Sequence, residues 1–178
     1  MSQLPFLVGA GVFLVAIIAT ATYFLVRARR AARTSWMAIL AKLQRIDRDK
    51  FATVALDLLE ERENQPQLEP AVIFDMIGGM EGLGALEQNC DVLIDLAAYV
   101  QKWYPEALEI ANELRLNSRE IKWHIGRLRG ASQTGHLYEQ FPQYAQRAVA
   151  TYYLMTRSLL VLYEGGRVPG FAELQQAI

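Results

Sequence analysis

The 178-residue sequence contains one cysteine, Cys90, two histidines, and no Asp, Glu, Lys or Arg in its first 26 positions. A single cysteine excludes a disulfide-stabilised scaffold. The histidines, His124 and His136, are twelve positions apart and have no cysteine pair near them, so they do not form a zinc-binding pattern. Roughly half of the chain after residue 26 is apolar, which excludes an intrinsically disordered protein.

The uncharged amino-terminal region has the length of a membrane span. Residues 5–26 carry no formal charge, and as a helix these 22 residues extend for roughly 33 Å, about the thickness of the hydrocarbon core of a bilayer. The competing interpretation is a cleaved signal peptide, because Ala19-Thr20-Ala21 imitates a cleavage site. No basic region precedes the apolar run, however, and the run continues past that site. The sequence therefore predicts a transmembrane helix over residues 5–26.

The formal net charge of −1 conceals two regions of opposite sign. Residues 27–50 hold eight basic and two acidic side chains, whereas residues 51–178 hold ten basic and seventeen acidic ones. Because arginines that follow a span are retained in the cytoplasm, we expect the amino terminus outside and residues 27–178 inside. The residues predicted to lie at the membrane interface are Tyr23, Arg27, Arg29, Arg30 and Arg33.

Small residues recur along one side of the predicted span. Gly9, Ala16 and Thr20 fall near one helical face, where they allow a second transmembrane helix to approach closely. The sequence therefore predicts that the partner of the span, besides the lipid bilayer, is another membrane protein or a second copy of this chain.

Helical spacing governs the chain after the span. Apolar positions between residues 34 and 63 keep this spacing except at Asp47-Arg48-Asp49, which fits two helices or one kinked helix. The sequence predicts a basic juxtamembrane helical segment over residues 27–50 and a cytoplasmic helical domain over residues 51–178. No alternating strand pattern is present. The predicted fold class is all-α: one amino-terminal transmembrane helix followed by an antiparallel helical bundle.

Two heptad patterns predict the main helices of the bundle. The first runs from Leu86 to Leu128 and contains Pro105, so it indicates either one kinked helix or two helices that meet near Trp103. The second runs from Phe141 to Leu162 and has extra apolar neighbours, which predicts a central helix. The turn over residues 130–135 makes the two an antiparallel pair. The short stretch over residues 171–178 is expected to pack on the bundle.

Four glycines at positions 78, 79, 82 and 84 resemble a phosphate-binding loop only superficially. No strand precedes them, no Lys-Ser or Lys-Thr follows, and the spacing is not GxGxxG. Glycines four residues apart instead favour close helix packing through Gly78 and Gly82, or a turn between two helices.

The remaining polar residues do not form a catalytic or metal-binding set. Glu87, Asp91 and Asp95 recur every four residues away from the heptad positions, which is typical of a solvated helix face. Cys90 occupies a heptad position and is expected to be a buried small hydrophobe. The basic residues from 115 to 129 have acidic neighbours as salt-bridge partners. We therefore predict no catalytic residue, metal, cofactor, nucleic-acid partner or small-molecule substrate.

Several loosely spaced residues resemble a known family. Ile77-Gly78 after an acidic residue, Trp103, Arg115, the HLYEQF segment over residues 136–141 and Ala145 lie behind a single span. This arrangement is similar to an uncharacterised family of membrane-anchored bacterial proteins catalogued as a domain of unknown function, over roughly residues 34–150. The glycines from Gly78 to Gly84 depart from that pattern. The resemblance implies an all-helical cytoplasmic domain on a bacterial inner membrane and implies no activity.

These features predict a non-catalytic, single-pass membrane protein that acts through protein contacts, as a scaffold, a regulator or an accessory subunit of a larger membrane complex. The alternative is a small-ligand-binding module or an enzyme with a pocket between helices, near residues 78–84, Trp103 and Tyr104.

Overall fold

A computed structural model of the chain describes residues 35–60 and 68–178, together with positions 14, 15, 18–20 and 22. The chain divides into two compact units, residues 1–35 and residues 36–178. In the first unit, six of the seven described residues are helical, the exception being Ser35, and the Thr22 hydroxyl donates a hydrogen bond to the Ile18 carbonyl at 2.6 Å. Among the described residues, no helix is both long enough and apolar enough to cross a membrane. Most of the predicted span lies outside the described residues.

The described part of the second unit contains helices joined by turns and loops and no strand, which confirms the all-α prediction and the helical bundle. Seven helices are described in it: α1 (Trp36–Leu40), α2 (Arg48–Leu59), α3 (Pro70–Ile77), α4 (Gly79–Val100), α5 (Ala107–Gln133), α6 (Leu137–Gly165) and α7 (Phe171–Ala177).

The heptad residues form the core of this bundle. Those on α4 and α5 are buried, apart from a half-buried Tyr104 between the two helices, and those on α6 are buried throughout. The first heptad pattern belongs to two helices, because α4 ends at Val100 and Pro105 precedes the start of α5. Proline lacks the backbone N–H that a continuous helix requires at this position. The alternative of one kinked helix is therefore wrong.

Helix α6 is central, as its wide apolar face predicts. It packs against α5 in an antiparallel pair, joined by the short turn over residues 134–136, and it also contacts α2, α3, α4 and α7. The α7 segment packs on the bundle through the fully buried Leu174. The Arg48 guanidinium donates hydrogen bonds to the carbonyls of Gln175 and Ile178 at 2.8 and 2.7 Å, so the tail is fixed to α2.

The start of the second unit, residues 36–178, which we call the body, departs from the helical spacing. Helix α1 ends at Leu40 and α2 begins only at Arg48, where the Asp47 carboxylate accepts a hydrogen bond from the Lys50 backbone N–H at 3.2 Å. The prediction of helix through Leu43 and Ile46 is therefore wrong, and so is a continuous helical segment up to residue 50. Two helices, the other alternative for residues 34–63, are what the structure contains.

A buried amide explains why residues 41–47 are not helical. Asn89, on α4, accepts a hydrogen bond from the Gln44 backbone N–H at 2.7 Å and donates one to the Gln44 carbonyl at 2.9 Å. These two bonds satisfy the backbone groups that a helix would otherwise pair. A residue 45 positions away thus stabilises the non-helical backbone at Gln44.

Candidate functional site

The outer side of α5 carries exposed apolar side chains. Leu108, Leu116 and Trp123 are 54%, 62% and 56% exposed, and their spacings of eight and seven residues place them on one side of the helix. Trp123 also contacts the half-buried Tyr144 of α6, with ring centroids 5.8 Å apart. We call Leu108, Leu116, Trp123 and Tyr144 the α5 surface. Its apolar members lie among charged residues, so no heptad pattern indicates it.

His124 lies beside this surface and faces the core. Its Nε2 atom is 3.5 Å from a Glu120 carboxylate oxygen, and within the described chain its Nδ1 atom has no hydrogen-bond partner. The imidazole is buried, and its ring centroid lies 5.0 Å from that of Trp123 and 5.6 Å from that of Tyr144. The other histidine, His136, directly precedes α6, is exposed and makes no side-chain capping hydrogen bond.

Two basic residues of α5, Lys122 and Arg129, pair with carboxylates of α4. The Lys122 ammonium contacts both Asp91 carboxylate oxygens at 3.1 Å, and the Arg129 guanidinium bonds the Glu87 carboxylate. These contacts confirm the predicted salt bridges with acidic neighbours for Lys122 and Arg129. Through residues 35–60 and 68–178, no three His, Cys, Asp or Glu side chains are grouped closely enough to hold a metal ion.

Cys90 is fully buried between the helices of the core. Desolvation by this burial raises the pKa of its thiol to about 12, although the nearby Lys122 opposes the shift. A thiol at such a pKa is protonated at neutral pH and does not act as a nucleophile. The prediction of a buried small hydrophobe is confirmed.

The glycine cluster forms the turn between α3 and α4. Gly78 and Gly79 have φ values of 77° and 60°, in the left-handed region that favours glycine. A Cβ atom on Gly82 would lie 1.7 Å from the Ile77 carbonyl oxygen, so Gly82 permits a close backbone approach. Of the two alternatives for these glycines, the structure contains the turn between helices.

The predicted pocket near the glycines and Trp103 does not exist as one site. Gly79 begins α4, and Trp103 follows its last residue, Val100. A helix of these 22 residues is about 33 Å long, so the glycines and Trp103 lie at opposite ends of it. A cavity beside Trp103 is therefore separate from the glycine cluster.

A groove does occur elsewhere, between α2 and α6. It has a volume of about 470 Å³, and its apolar lining includes Phe51, Val149 and Leu160. Arg48 and Arg157 contribute cationic groups to its rim, and the Arg157 guanidinium lies 5.8 Å from the centre of the Tyr153 ring. The sequence pattern missed this groove because its two walls are about 100 residues apart in the chain.

Two buried polar residues, Asn89 and Tyr163, were not singled out by the sequence patterns. The Tyr163 hydroxyl accepts a hydrogen bond from the Trp36 indole N–H at 3.0 Å and donates one to the Leu96 carbonyl at 3.2 Å. Desolvation raises the pKa of this hydroxyl above its ordinary value. Together with the Asn89 amide, this hydroxyl connects the start of the body to α4 and α6.

The residues predicted to lie at the membrane interface all fall outside the described part of the chain. Tyr23, Arg27, Arg29, Arg30 and Arg33 lie outside the described residues. Among the small residues of the span, Gly9 and Ala16 also lie outside them, whereas Thr20 is helical and exposed.

Comparisons with known proteins identify no protein similar to this chain. No family model matches the sequence, and neither the curated proteins nor the solved structures include a significant match. The resemblance to a family of membrane-anchored bacterial proteins therefore stays a prediction from the sequence.

Proposed function

We propose that the protein is a single-pass bacterial inner-membrane protein whose helical body acts through protein contacts rather than through catalysis. Its amino terminus lies outside, and residues 27–178 are cytoplasmic. In this role it serves as a scaffold, a regulator or an accessory subunit of a larger membrane complex. The α5 surface is the observation that carries the proposal.

The α5 surface has the chemistry of a partner-binding helix face. Apolar side chains that line one side of an exposed helix are typical of helix-in-groove recognition. Aromatic anchors such as Trp123 also contribute strongly to interface energy. Glu120 and Arg127 flank the apolar residues and provide a polar rim, which suits a protein partner better than a lipid tail.

Site-specific photocrosslinking in intact membranes tests this surface. A benzophenone amino acid replaces Leu116 in one variant and Val161 in a matched control, because Val161 on α6 is 65% exposed but lies outside the α5 surface. We expect a discrete crosslinked product from position 116 and none from position 161. Equal products at both positions, or none at position 116, would refute the proposed contact surface.

The membrane anchor is supported by the uncharged run over residues 5–26 and by the arginines that follow it. Leu14, Val15 and Ile18 are also more than half exposed, as lipid-facing side chains are. Labelling with a membrane-impermeant maleimide tests the orientation. We expect Ser2→Cys to react in spheroplasts and Glu173→Cys to react only after permeabilisation, while the buried Cys90 gives a low background. The opposite pattern would contradict the orientation.

Self-association through the span is a separate part of the proposal. Gly9, Ala16 and Thr20 provide the small residues that close helix contact requires. A Gly9→Leu/Ala16→Leu variant should sediment as a smaller species than the wild type in mild detergent. Equal sedimentation would argue against contact through this face.

The groove between α2 and α6 favours a second candidate function, binding of a small amphiphilic ligand. Its volume of about 470 Å³ lies within the usual range of ligand sites. Native mass spectrometry of the purified chain tests this possibility, with Ala52→Trp as the variant that fills the groove. A bound small molecule that is lost in Ala52→Trp would favour ligand binding. Detection of both proteins only in their unliganded form would argue against it.

A further inference from the structure

The body begins at an aromatic end of the bundle. Trp36, the first residue of α1, lines a cavity of about 300 Å³ together with Tyr99, Trp103 and Gly170. Gly170 has a φ of 92°, and a Cβ atom there would lie 2.7 Å from the Trp36 ring. The end of α4, the turn that follows it and the turn before α7 therefore meet beside Trp36.

The outer part of this end exposes large apolar groups. Met37 and Trp103 are 62% and 59% exposed, and the Trp103 ring packs edge-on against the Tyr99 ring at 4.9 Å. The Lys102 ammonium lies 4.2 Å from the centre of the Tyr99 ring and 5.8 Å from that of Trp103. We call Met37, Tyr99, Lys102 and Trp103 the aromatic end. Tryptophan, tyrosine and lysine in this combination are typical of membrane–water interfaces.

The length of chain before Trp36 limits how far this end can lie from the proposed span. Nine residues (27–35), and therefore ten Cα–Cα steps, separate Val26, the last residue of the proposed span, from Trp36. Fully extended, they reach at most about 36 Å, and a short tether of this kind raises the local concentration of its two ends into the millimolar range. Four arginines lie within the tether and are attracted to anionic lipid headgroups.

We propose that the aromatic end docks onto the cytoplasmic surface of the bilayer, with the Trp103 ring in the interfacial layer. This inference rests on the proposed membrane anchor. The charged residues Glu106 and Glu173 also lie near this end, so the apolar and aromatic groups supply the attraction there while the tether arginines supply the charge. The bilayer is the occupant that the tether length favours over a second copy or a soluble partner.

Fluorescence quenching by brominated lipids tests the docking on the full-length chain in nanodiscs that contain anionic lipid. Trp123 provides a matched control, because its exposure of 56% is close to that of Trp103 and it lies on α5 away from the aromatic end. The Trp123→Phe variant keeps Trp36 and Trp103, and the Trp103→Phe variant keeps Trp36 and Trp123. We expect about twofold stronger quenching in Trp123→Phe, because only Trp103 lies at bromine depth.

Each outcome is decisive once circular dichroism shows that both variants fold. Equal quenching in the two variants, with the chain retained in the nanodisc, would overturn the docking and leave the anchor intact. Weak lipid quenching combined with protection of Trp103 from aqueous acrylamide would also overturn it, because a protein would then cover this end. Extraction of the chain from the nanodisc by alkaline carbonate would overturn the anchor and the docking together.

Discussion

Replacing Asn89 by alanine tests whether one buried amide maintains the start of the body. The variant loses the hydrogen bonds that Asn89 exchanges with the backbone of Gln44, at 2.7 and 2.9 Å. Two such bonds contribute roughly 2 kcal/mol in total, and the better helix propensity of alanine offsets about 0.5 kcal/mol of this. We therefore expect the free energy of unfolding to fall by about 1.5 kcal/mol.

Urea denaturation in mild detergent, followed by tryptophan fluorescence, measures this loss. Hydrogen exchange at the Gln44 amide provides a local readout, and we expect it to accelerate about tenfold because 1.4 kcal/mol corresponds to a tenfold change. The control is Asn112→Ala on the exposed side of α5, where the change should stay within about 0.5 kcal/mol. Unaltered exchange at Gln44, with a loss below about 0.5 kcal/mol, would refute the role of Asn89.

Three further predictions follow from local geometry. In urea denaturation Gly82→Ala should destabilise the protein by more than about 2 kcal/mol, because its Cβ would overlap a backbone carbonyl. The Cβ of Gly84→Ala would meet nothing within 4 Å, so this control should stabilise the protein by up to about 1 kcal/mol. A similar effect of both substitutions would contradict this reasoning. The pKa of Cys90 is raised from 9.0 to about 12 in the folded chain, so the stability from a neutral thiol is complete below pH 9 and is lost between pH 9 and about 12. At pH 8, the rate at which iodoacetamide alkylates Cys90 should accordingly equal the unfolding rate. Rapid alkylation of the folded chain would contradict the burial of Cys90. Lys122→Ala should lower the free energy of unfolding by less than about 1 kcal/mol, because its contact with Asp91 is partly exposed. A larger decrease in urea denaturation would contradict this prediction.

The heptad helices were predictable because their apolar positions, spaced three and four residues apart, are the positions buried in the core. Residues from Leu86 to Leu128 meet the same core at steps of three and four, and a single residue, Pro105, determines where the pattern divides into two helices. The turn before α4 could also be predicted from the sequence, since left-handed backbone positions favour glycine.

Other features depend on contacts between distant parts of the chain, which a local pattern does not contain. Apolar spacing alone predicts helix through Leu43 and Ile46, but Asn89 pairs with the intervening backbone instead. The groove between α2 and α6 arises only when the two helices pack. Leu116 and Trp123 stand singly among charged residues, so their shared surface becomes visible only once the buried side of α5 is known.

The hydrogen bonds around Tyr163 have a mechanical consequence. The Trp36 indole, at the first turn of the body, is bonded to a hydroxyl near the end of the central helix, and that hydroxyl is bonded in turn to the Leu96 carbonyl. A force applied at Trp36 would therefore act directly on α4 and α6 through these two hydrogen bonds.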